Sequence, residues 1–180
     1  RGNHIKGITH PVGNGDEIDI FGHQFLALST PGHTDDQIAY FNNSLTKPVL
    51  FSGDTLFAAG CGRLFEGTAL EMFNSLNIFA GLPSETLVYC GHEYTLSNLL
   101  FASTVEPLNK DILKRIEEVK ALRANNIASL PSSIKLEMKT NPFMRCDKKL
   151  VIKAAEKHSL QKLNSPSEVL ASIRNWKDNY

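Results

Sequence analysis

The sequence predicts an α+β fold in which a strand-rich half precedes a helical half. Short runs of apolar, β-branched and aromatic residues, separated by Gly, Pro and Asp, fill the first half. After Tyr94, apolar residues recur at helical spacing instead. No internal repeat or low-complexity linker lies between the halves, so the boundary near Thr95 is a change of structural class rather than a flexible joint. We expect one domain over residues 1–95 and a small all-α domain over residues 96–180.

The expected strands occupy apolar runs that end at turn residues. These runs are Glu17–Ile20, Phe25–Ser29, Ile38–Phe41, Val49–Ser52 and Leu87–Cys90. One helix, at about residues 69–80, is expected before the last of them. No strand is expected after Tyr94.

The second half carries the signals of several helices. One is marked by apolar residues at helical spacing, namely Ile112, Ile116, Val119 and Leu122. An amphipathic stretch follows at about residues 148–158. The last helix has Ser165 as its cap, Pro166 in its first turn and Glu168 placed as in a capping box. It should end near Asp178.

Composition favours a globular protein with balanced charge. The chain has 180 residues, of which 42% are hydrophobic, enough to bury a core. Its 19 basic side chains balance its 19 acidic ones, so no overall field draws it to nucleic acid or to a membrane surface. The 3 cysteines predict free thiols in a reducing compartment. No apolar run reaches the length of a membrane span and residues 1–10 lack the order of a signal peptide, so we expect a cytoplasmic monomer.

The candidate chemistry lies in loop segments that follow strand-rich runs and present a metal-binding side chain beside Gly. They are Pro31-Gly32-His33-Thr34, Ser52-Gly53-Asp54-Thr55 and Cys90-Gly91-His92-Glu93. Singly, each is commonly a turn whose side chain bonds nearby backbone. Together, imidazoles and a carboxylate suit zinc or another first-row divalent ion, and a carboxylate can bridge two ions. Asp54 is the candidate bridge.

These segments with their surroundings resemble the later metal motifs of the metallo-β-lactamase superfamily. Within it, the chain resembles glyoxalase II in the runs Gly53-Asp54-Thr55-Leu56-Phe57, Ala59-Gly60-Cys61-Gly62-Arg63, Glu66-Gly67-Thr68 and Cys90-Gly91-His92-Glu93-Tyr94-Thr95. The later Asn141-Pro142-Phe143-Met144-Arg145 resembles that family's C-terminal signature. The resemblance implies part of an αββα sandwich, followed by a helical domain that binds glutathione.

The resemblance also implies a catalytic centre with two divalent metal ions. His33 would bind one ion, His92 the second, and Asp54 would bridge them. Zinc is the first choice, and iron or manganese also suit these ligands. The family's preceding His-x-His-x-Asp-His motif does not occur in this sequence, since His4, His10 and His23 lack its spacing. We therefore expect a natural protein that is some tens of residues longer at its N-terminus, and an inactive 180-residue chain.

The activity that the resemblance implies is hydrolysis of S-D-lactoylglutathione to glutathione and D-lactate, the second step of methylglyoxal detoxification. Glutathione has two carboxylates, so its pocket should contain cations and hydrogen-bond donors. By resemblance, the candidates are Arg63, Tyr94, Arg145 and Lys148. Each also has a plain structural interpretation, as a loop cation, a packed aromatic or part of a solvated face. Phe65 stands where relatives carry Tyr, which predicts weaker glutathione binding.

Three other functions are compatible with parts of the sequence. A glutathione persulfide dioxygenase of the same superfamily would use one iron, but the helical C-terminal signature favours the thioesterase. The chain as it stands could be a non-catalytic module that binds a thiol ligand. A β-lactamase or nuclease would leave the Cys-Gly-Arg to Glu-Gly-Thr run unexplained, and the balanced charge further disfavours a nuclease.

Overall fold

The computed structural model describes residues 6–180. His4 therefore lies outside the described residues. The strands are β1 (Glu17–Ile20), β2 (His23–Ser29), β3 (Ile38–Asn42), β4 (Val49–Gly53), β5 (Leu56–Phe57), β6 (Gly60–Cys61), β7 (Leu87–Cys90) and β8 (Ser132–Ser133). The helices are α1 (Ala69–Ala80), α2 (Thr95–Val105), α3 (Lys110–Ala124), α4 (Ile134–Thr140), α5 (Lys149–Ser159) and α6 (Pro166–Asp178), with a 3₁₀ turn at Pro142–Met144. The α+β expectation is confirmed.

The main sheet is mixed and has the strand order β1-β2-β3-β4-β7-β8. Strands β1 to β4 pair in antiparallel fashion, whereas β4 and β7 are parallel. Strands β2, β4 and β7 consequently run in the same direction, and their C-terminal ends meet at one edge of the sheet. Strands β5 and β6 form a separate hairpin.

The expectation that no strand follows Tyr94 is wrong. Strand β8 pairs with β7 through Leu87 opposite Ser133 and Val88 opposite Ser132. Two serines carry no apolar pattern, so their extended conformation depends on pairing with a neighbour that is distant in sequence. The strand brings the helical half of the chain onto the same sheet.

The helix termini follow local side-chain chemistry. Thr68 and Glu71 form the capping box of α1, and Ser165 caps α6 by accepting a hydrogen bond from the Glu168 backbone. Helix α2 was not expected. The residue at its N-cap, Tyr94, makes no side-chain capping hydrogen bond, so no sequence signal marks the start of this helix. Among the described residues, no helix is long and apolar enough to cross a membrane.

One apolar core joins the two halves of the chain. Ala39, Leu50 and Val88 of the sheet belong to the same buried cluster as residues of α1, the 3₁₀ turn, α5 and α6. A smaller cluster packs Ala59, which lies between β5 and β6, against Leu99 of α2 and residues of α3. The β5–β6 hairpin is therefore fixed from the helical side, next to the edge where β2, β4 and β7 end.

Candidate metal centre

The three predicted metal ligands converge at the edge of the sheet where their strands end. His33 follows β2, Asp54 follows β4 and His92 follows β7. The Nε2 atoms of His33 and His92 lie 3.5 and 3.7 Å from the same carboxylate oxygen, Oδ2 of Asp54. Both distances exceed those of ordinary hydrogen bonds. This spacing leaves the two imidazole nitrogens facing a shared carboxylate without direct hydrogen bonds between them.

The orientation of the His33 ring is set by a backbone carbonyl. Nδ1 of His33 lies 2.8 Å from the carbonyl oxygen of Arg63. A carbonyl only accepts hydrogen bonds, so Nδ1 is the donor, and in the neutral ring the Nε2 lone pair then lies on the side of Asp54. Imidazoles that bind metal ions are typically held in this way through their other nitrogen.

The donor set fits divalent metal ions. Imidazole nitrogen and carboxylate oxygen are ligands of zinc, iron and manganese. Among residues 6–180, no group of three or more His, Cys, Asp or Glu side chains is arranged to hold one metal ion. The donors instead form two pairs, His33 with Asp54 and His92 with Asp54, that share one oxygen. Asp54 therefore lies between the two imidazoles.

Gly91 allows the His92 loop to pass close to Asp54. A Cβ atom at position 91 would overlap Oδ1 of Asp54. The Gly91 amide also donates to the Gly53 carbonyl at 2.9 Å, which extends the contact between β4 and β7 beyond their ends. The glycine that precedes His92 is thus required by the approach of the two loops.

Aromatic rings surround the exposed side of His92. The Tyr94 ring stacks on the His92 ring, with 5.1 Å between centroids and 19° between planes. Phe57 contacts the edge of Tyr94 at 5.4 Å between centroids. Phe65 lies against His33 on the other side, at 4.9 Å. These rings form apolar walls beside the candidate ligands.

The cysteines near the site have the properties of packing residues. Burial raises the pKa of Cys61 and of Cys90, and it raises the pKa of Cys146 well above the usual value. A raised pKa keeps the thiol protonated and therefore a poor nucleophile. All three are free cysteines, as expected from the sequence.

A cavity of about 720 Å³ opens from the candidate ligands toward α6, and this volume is typical of small-molecule sites. The polar side chains that line it, apart from the three candidate ligands, include Arg63, Tyr94, Asn98, Arg174, Lys177 and Tyr180. The Arg174 side chain is buried and its Nη1 donates to the Cys61 carbonyl at 2.8 Å. Burial, followed by the nearby Arg174 charge, lowers the pKa of Lys177 to about 8. Asp178 pairs with Arg174 at 3.0 Å and with Arg63 at 3.4 Å, so the three cations Arg63, Arg174 and Lys177 leave this part of the cavity with a net positive charge.

The predicted substrate-binding residues divide into two groups. Arg63 and Tyr94 line the cavity, but Arg145 and Lys148 are not among its lining residues. Arg145 donates from Nε and Nη2 to the Glu106 carboxylate, at 2.8 Å each, and Lys148 pairs with Asp147 at 2.7 Å. The structure thus gives Arg145 and Lys148 surroundings different from those that the resemblance implied.

Arg174 and Lys177 were not predicted from the sequence, yet they line the cavity from which Arg145 and Lys148 are absent. In each pair, the two residues are three positions apart in the sequence. This spacing brings two side chains close together on one helical face or turn. The signal for Arg174 and Lys177 was available in the amphipathic pattern of α6, because Arg174 falls on the same face as the buried Leu170 and Ile173. A cation on the buried face of a helix requires a partner or a ligand.

The chain is similar to known proteins along its length. A family model described as "Metallo-beta-lactamase superfamily" matches residues 1–92, and one described as "Hydroxyacylglutathione hydrolase C-terminus" matches residues 93–180. Curated proteins named hydroxyacylglutathione hydrolase are similar to this chain over most of its length. The protein from Nitrosomonas eutropha is 47% identical over 178 residues, covering 98% of this chain and 68% of that protein. The protein from Pseudomonas syringae pv. syringae is 51% identical over 165 residues, covering 92% and 64%.

Solved structures give the same class. The crystal structure of ETHE1 from Myxococcus xanthus superposes with a TM-score of 0.53 at 27% identity, covering 92% of this chain and 58% of that one. The fold and the converging ligands thus define a member of the metallo-β-lactamase superfamily, which implies divalent metal ions. Within it, the chain belongs to the hydroxyacylglutathione hydrolase family. The chain spans about two thirds of the length of the curated relatives it matches, 64% and 68% for the two described above.

Proposed function

We propose that the protein is a metal-dependent thioesterase that hydrolyses S-D-lactoylglutathione to glutathione and D-lactate. The observation that carries the proposal is that the His33, Asp54 and His92 side chains meet at one end of a cavity whose other end is cationic. Such a cavity accommodates a substrate with a reactive carbonyl at one end and carboxylates at the other. About 50% identity to curated hydroxyacylglutathione hydrolases supports the same substrate class.

His33, Asp54 and His92 would hold the metal ions, for which we propose zinc. Bound divalent ions supply the Lewis acidity that polarises the thioester carbonyl. The chain's own residues hold the candidate ligands in position. The Arg63 carbonyl fixes the proton of His33 on Nδ1, and the stacked Tyr94 ring limits rotation of His92. Phe57 and Phe65 line this end of the cavity with apolar rings.

The cationic end of the cavity fits the carboxylates of glutathione. Arg63 is largely exposed, and its Nε lies 3.4 Å from Asp178 at the rim. Arg174 is only 4% exposed, and within the described part of the chain its Nε atom is buried without a hydrogen-bond partner. A buried donor of this kind is costly until an acceptor reaches it. Arg174 already pairs with Asp178 through Nη2 at 3.0 Å, and a substrate carboxylate beside Arg174 and Lys177 would supply a further acceptor.

The remaining parts of the proposal are the setting and the assembly. We propose a monomer that acts in the cytoplasm on a glutathione thioester and binds neither nucleic acid nor membranes. Balanced charge and free cysteines support this setting. The dioxygenase alternative is less well supported, because the curated relatives at about 50% identity carry the hydrolase name. These relatives also disfavour a purely binding role for the family site.

The test is a turnover assay with the full-length, zinc-loaded protein. S-D-lactoylglutathione is supplied and the loss of thioester absorbance is followed. We expect turnover that collapses in His92→Ala and in Asp54→Ala, because each removes a candidate ligand. His23→Ala, an exposed histidine on β2, is the matched control and should retain full activity. Absence of turnover with metal bound would refute the proposal, and oxygen uptake with glutathione persulfide would then be measured.

A further inference from the structure

The β5–β6 hairpin beside the metal centre is held by side chains of the helical half. Asn141, at the end of α4, donates from Nδ2 to the carbonyls of Phe57 and Gly60, at 3.3 and 2.9 Å. Glu137, on α4, accepts a hydrogen bond from the Ala59 amide at 2.7 Å through Oε2. These two side chains therefore bind backbone groups along the whole turn of the hairpin.

Two further side chains complete the set of contacts. Asn98 of α2 donates from Nδ2 to the Ala58 carbonyl at 3.0 Å. Arg174 of α6 donates from Nη1 to the Cys61 carbonyl at 2.8 Å. Every residue from 57 to 61 thus has a backbone group bonded to a side chain from the helical half. The hairpin has few contacts of its own that could replace them, since β5 and β6 have 2 residues each.

Glu137 is the centre of these contacts and is 1% exposed. Besides the Ala59 amide, it accepts hydrogen bonds from Asn141 Nδ2 at 2.9 Å and from the Ser132 hydroxyl. A buried carboxyl group is tolerated only when donors satisfy it, because leaving it unpaired is strongly unfavourable. Displacement of the hairpin would leave the buried Glu137 carboxyl group without its hydrogen bond from the Ala59 amide. The carboxyl group and the hairpin amide therefore fix each other.

Ala59 shows that the hairpin is held in a constrained conformation. Its φ angle is +57°, in the left-handed region that residues with a Cβ atom rarely adopt. Such a conformation costs about 1–3 kcal/mol and persists where surrounding contacts determine it. The bond from the Ala59 amide to Glu137 and the burial of the Ala59 methyl group in the α2–α3 cluster are those contacts.

The two residues that follow the hairpin, Gly62 and Arg63, link its position to the candidate metal ligands. Gly62 follows β6 and packs so tightly that a Cβ atom there would overlap the Asp54 carbonyl and press on the His33 ring. The next residue, Arg63, supplies the carbonyl that accepts the hydrogen bond from His33 Nδ1. A displacement of the hairpin would therefore move both the backbone beside Asp54 and the acceptor that orients His33.

We propose that Glu137 and Asn141 are positioning residues for the metal centre, which hold the β5–β6 hairpin so that the Arg63 carbonyl keeps the His33 ring in its metal-binding orientation. The proposal rests on the proposed function only in taking His33 as a metal ligand. Partners that orient a ligating imidazole change metal affinity by about 10- to 100-fold when they are removed. Glu137 and Asn141 act one step further away, through the backbone.

The test compares Glu137→Leu with Glu137→Gln in the full-length protein. Leucine removes the acceptors for Ala59 and Asn141, whereas glutamine keeps one acceptor oxygen for both and can donate to the Ser132 hydroxyl. Zn²⁺ affinity is measured by competition with a chromophoric chelator. The His33 tautomer is read in the metal-free protein from long-range ¹H–¹⁵N correlations. Val151→Ala, a buried truncation on α5 whose side chain makes none of these hydrogen bonds, is the control for general destabilisation.

We expect Glu137→Leu to weaken Zn²⁺ binding by about 10-fold or more and to lose the single Nδ1-protonated form of His33. Glu137→Gln should keep both properties, and Val151→Ala should unfold more easily but bind Zn²⁺ as the parent protein does. If Glu137→Leu does not fold, Asn141→Ala, which frees the Phe57 and Gly60 carbonyls, is measured instead.

Normal Zn²⁺ affinity together with an unchanged His33 tautomer in the folded variant would overturn the proposal. An equal loss of affinity in Val151→Ala would also overturn it, because the effect would then reflect stability alone. Neither readout depends on the substrate. Failure of thioester hydrolysis in the parent protein is therefore distinguishable from failure of the positioning role.

Discussion

Arg145 and Glu106 form a bidentate ion pair in which Nε and Nη2 of the guanidinium each lie 2.8 Å from a carboxylate oxygen. Arg145 Nη1 also donates to the Met138 carbonyl at 3.0 Å. Glu106 is 2% exposed, so its charge depends on Arg145 for compensation. The pair ties the end of α2 to the segment that follows the 3₁₀ turn.

This pairing predicts that Arg145→Ala affects stability rather than substrate binding. Removing one partner of a buried ion pair destabilises a protein by about 3–5 kcal/mol. We expect a loss of this size in denaturant unfolding, with the Michaelis constant for S-D-lactoylglutathione unchanged. Arg63→Ala is the comparison, since Arg63 lines the cavity and should show the reverse pattern. A raised Michaelis constant in a stable Arg145→Ala protein would restore the substrate-binding role implied by the family resemblance.

Residues with strong local signals were placed correctly from the sequence. Helix α1 spans Ala69–Ala80 as expected, and the predicted capping box at Ser165 and Glu168 marks the start of α6. Short apolar runs that end at turn residues marked β1 through β4 and β7 to within about two residues at each end. The convergence of His33, Asp54 and His92 also followed from sequence, because each comes directly after a strand and beside glycine.

Features that depend on distant contacts could not be read in the same way. Helix α2 has buried residues on several sides, including Asn98, Leu99, Phe101 and Ala102, so no single apolar face appears in its sequence. The roles of Glu137 and Asn141 were hidden because their partners lie roughly 80 residues earlier in the chain, as the separations of 78 and 81 residues for two of these bonds show. Only the folded chain reveals that their polar groups face the β5–β6 hairpin.

Asp54→Asn tests the shared carboxylate. The substitution keeps the shape of the side chain but removes the charge that faces Nε2 of His33 and Nε2 of His92. We expect zinc content and thioesterase activity to fall together, by more than the roughly 10- to 100-fold typical of partners outside the ligand set. Chelator treatment of the parent protein should likewise remove activity, and added Zn²⁺ should restore it. Asp19→Asn on β1 is the control, and full activity in Asp54→Asn would argue against a ligand role.

Phe65→Tyr tests the missing hydroxyl group in the cavity. The Phe65 ring is 68% exposed and lies against His33, with 4.9 Å between centroids. An added hydroxyl group that reaches the substrate would contribute about 0.5–1.5 kcal/mol. We therefore expect a Michaelis constant lower by about 2- to 10-fold with little change in kcat. Phe51→Tyr, an exposed phenylalanine on the sheet, should have no effect. An unchanged Michaelis constant in Phe65→Tyr would mean that position 65 does not reach glutathione.

Lys177 predicts a pH dependence of substrate capture. Burial, then the Arg174 charge, lowers the pKa of Lys177 to about 8, whereas Asp178 and Cys61 act in the opposite direction. A lysine is charged below its pKa, so the cation that faces a substrate carboxylate is present below about pH 8 and is lost above it. We expect kcat/KM, which reports the free enzyme, to fall as the pH rises through this value.

Lys177→Arg separates this effect from titration of other groups. Arginine stays charged throughout the range in which lysine titrates here, so kcat/KM should no longer fall near pH 8. Lys177→Met should have a low kcat/KM at every pH, without that transition. The measurement is kcat/KM for S-D-lactoylglutathione from about pH 6 to pH 10, a range that brackets the shifted pKa of Lys177. If the arginine variant retains the same transition, the titrating group lies elsewhere, and Lys177 does not supply the cation that captures the substrate carboxylate.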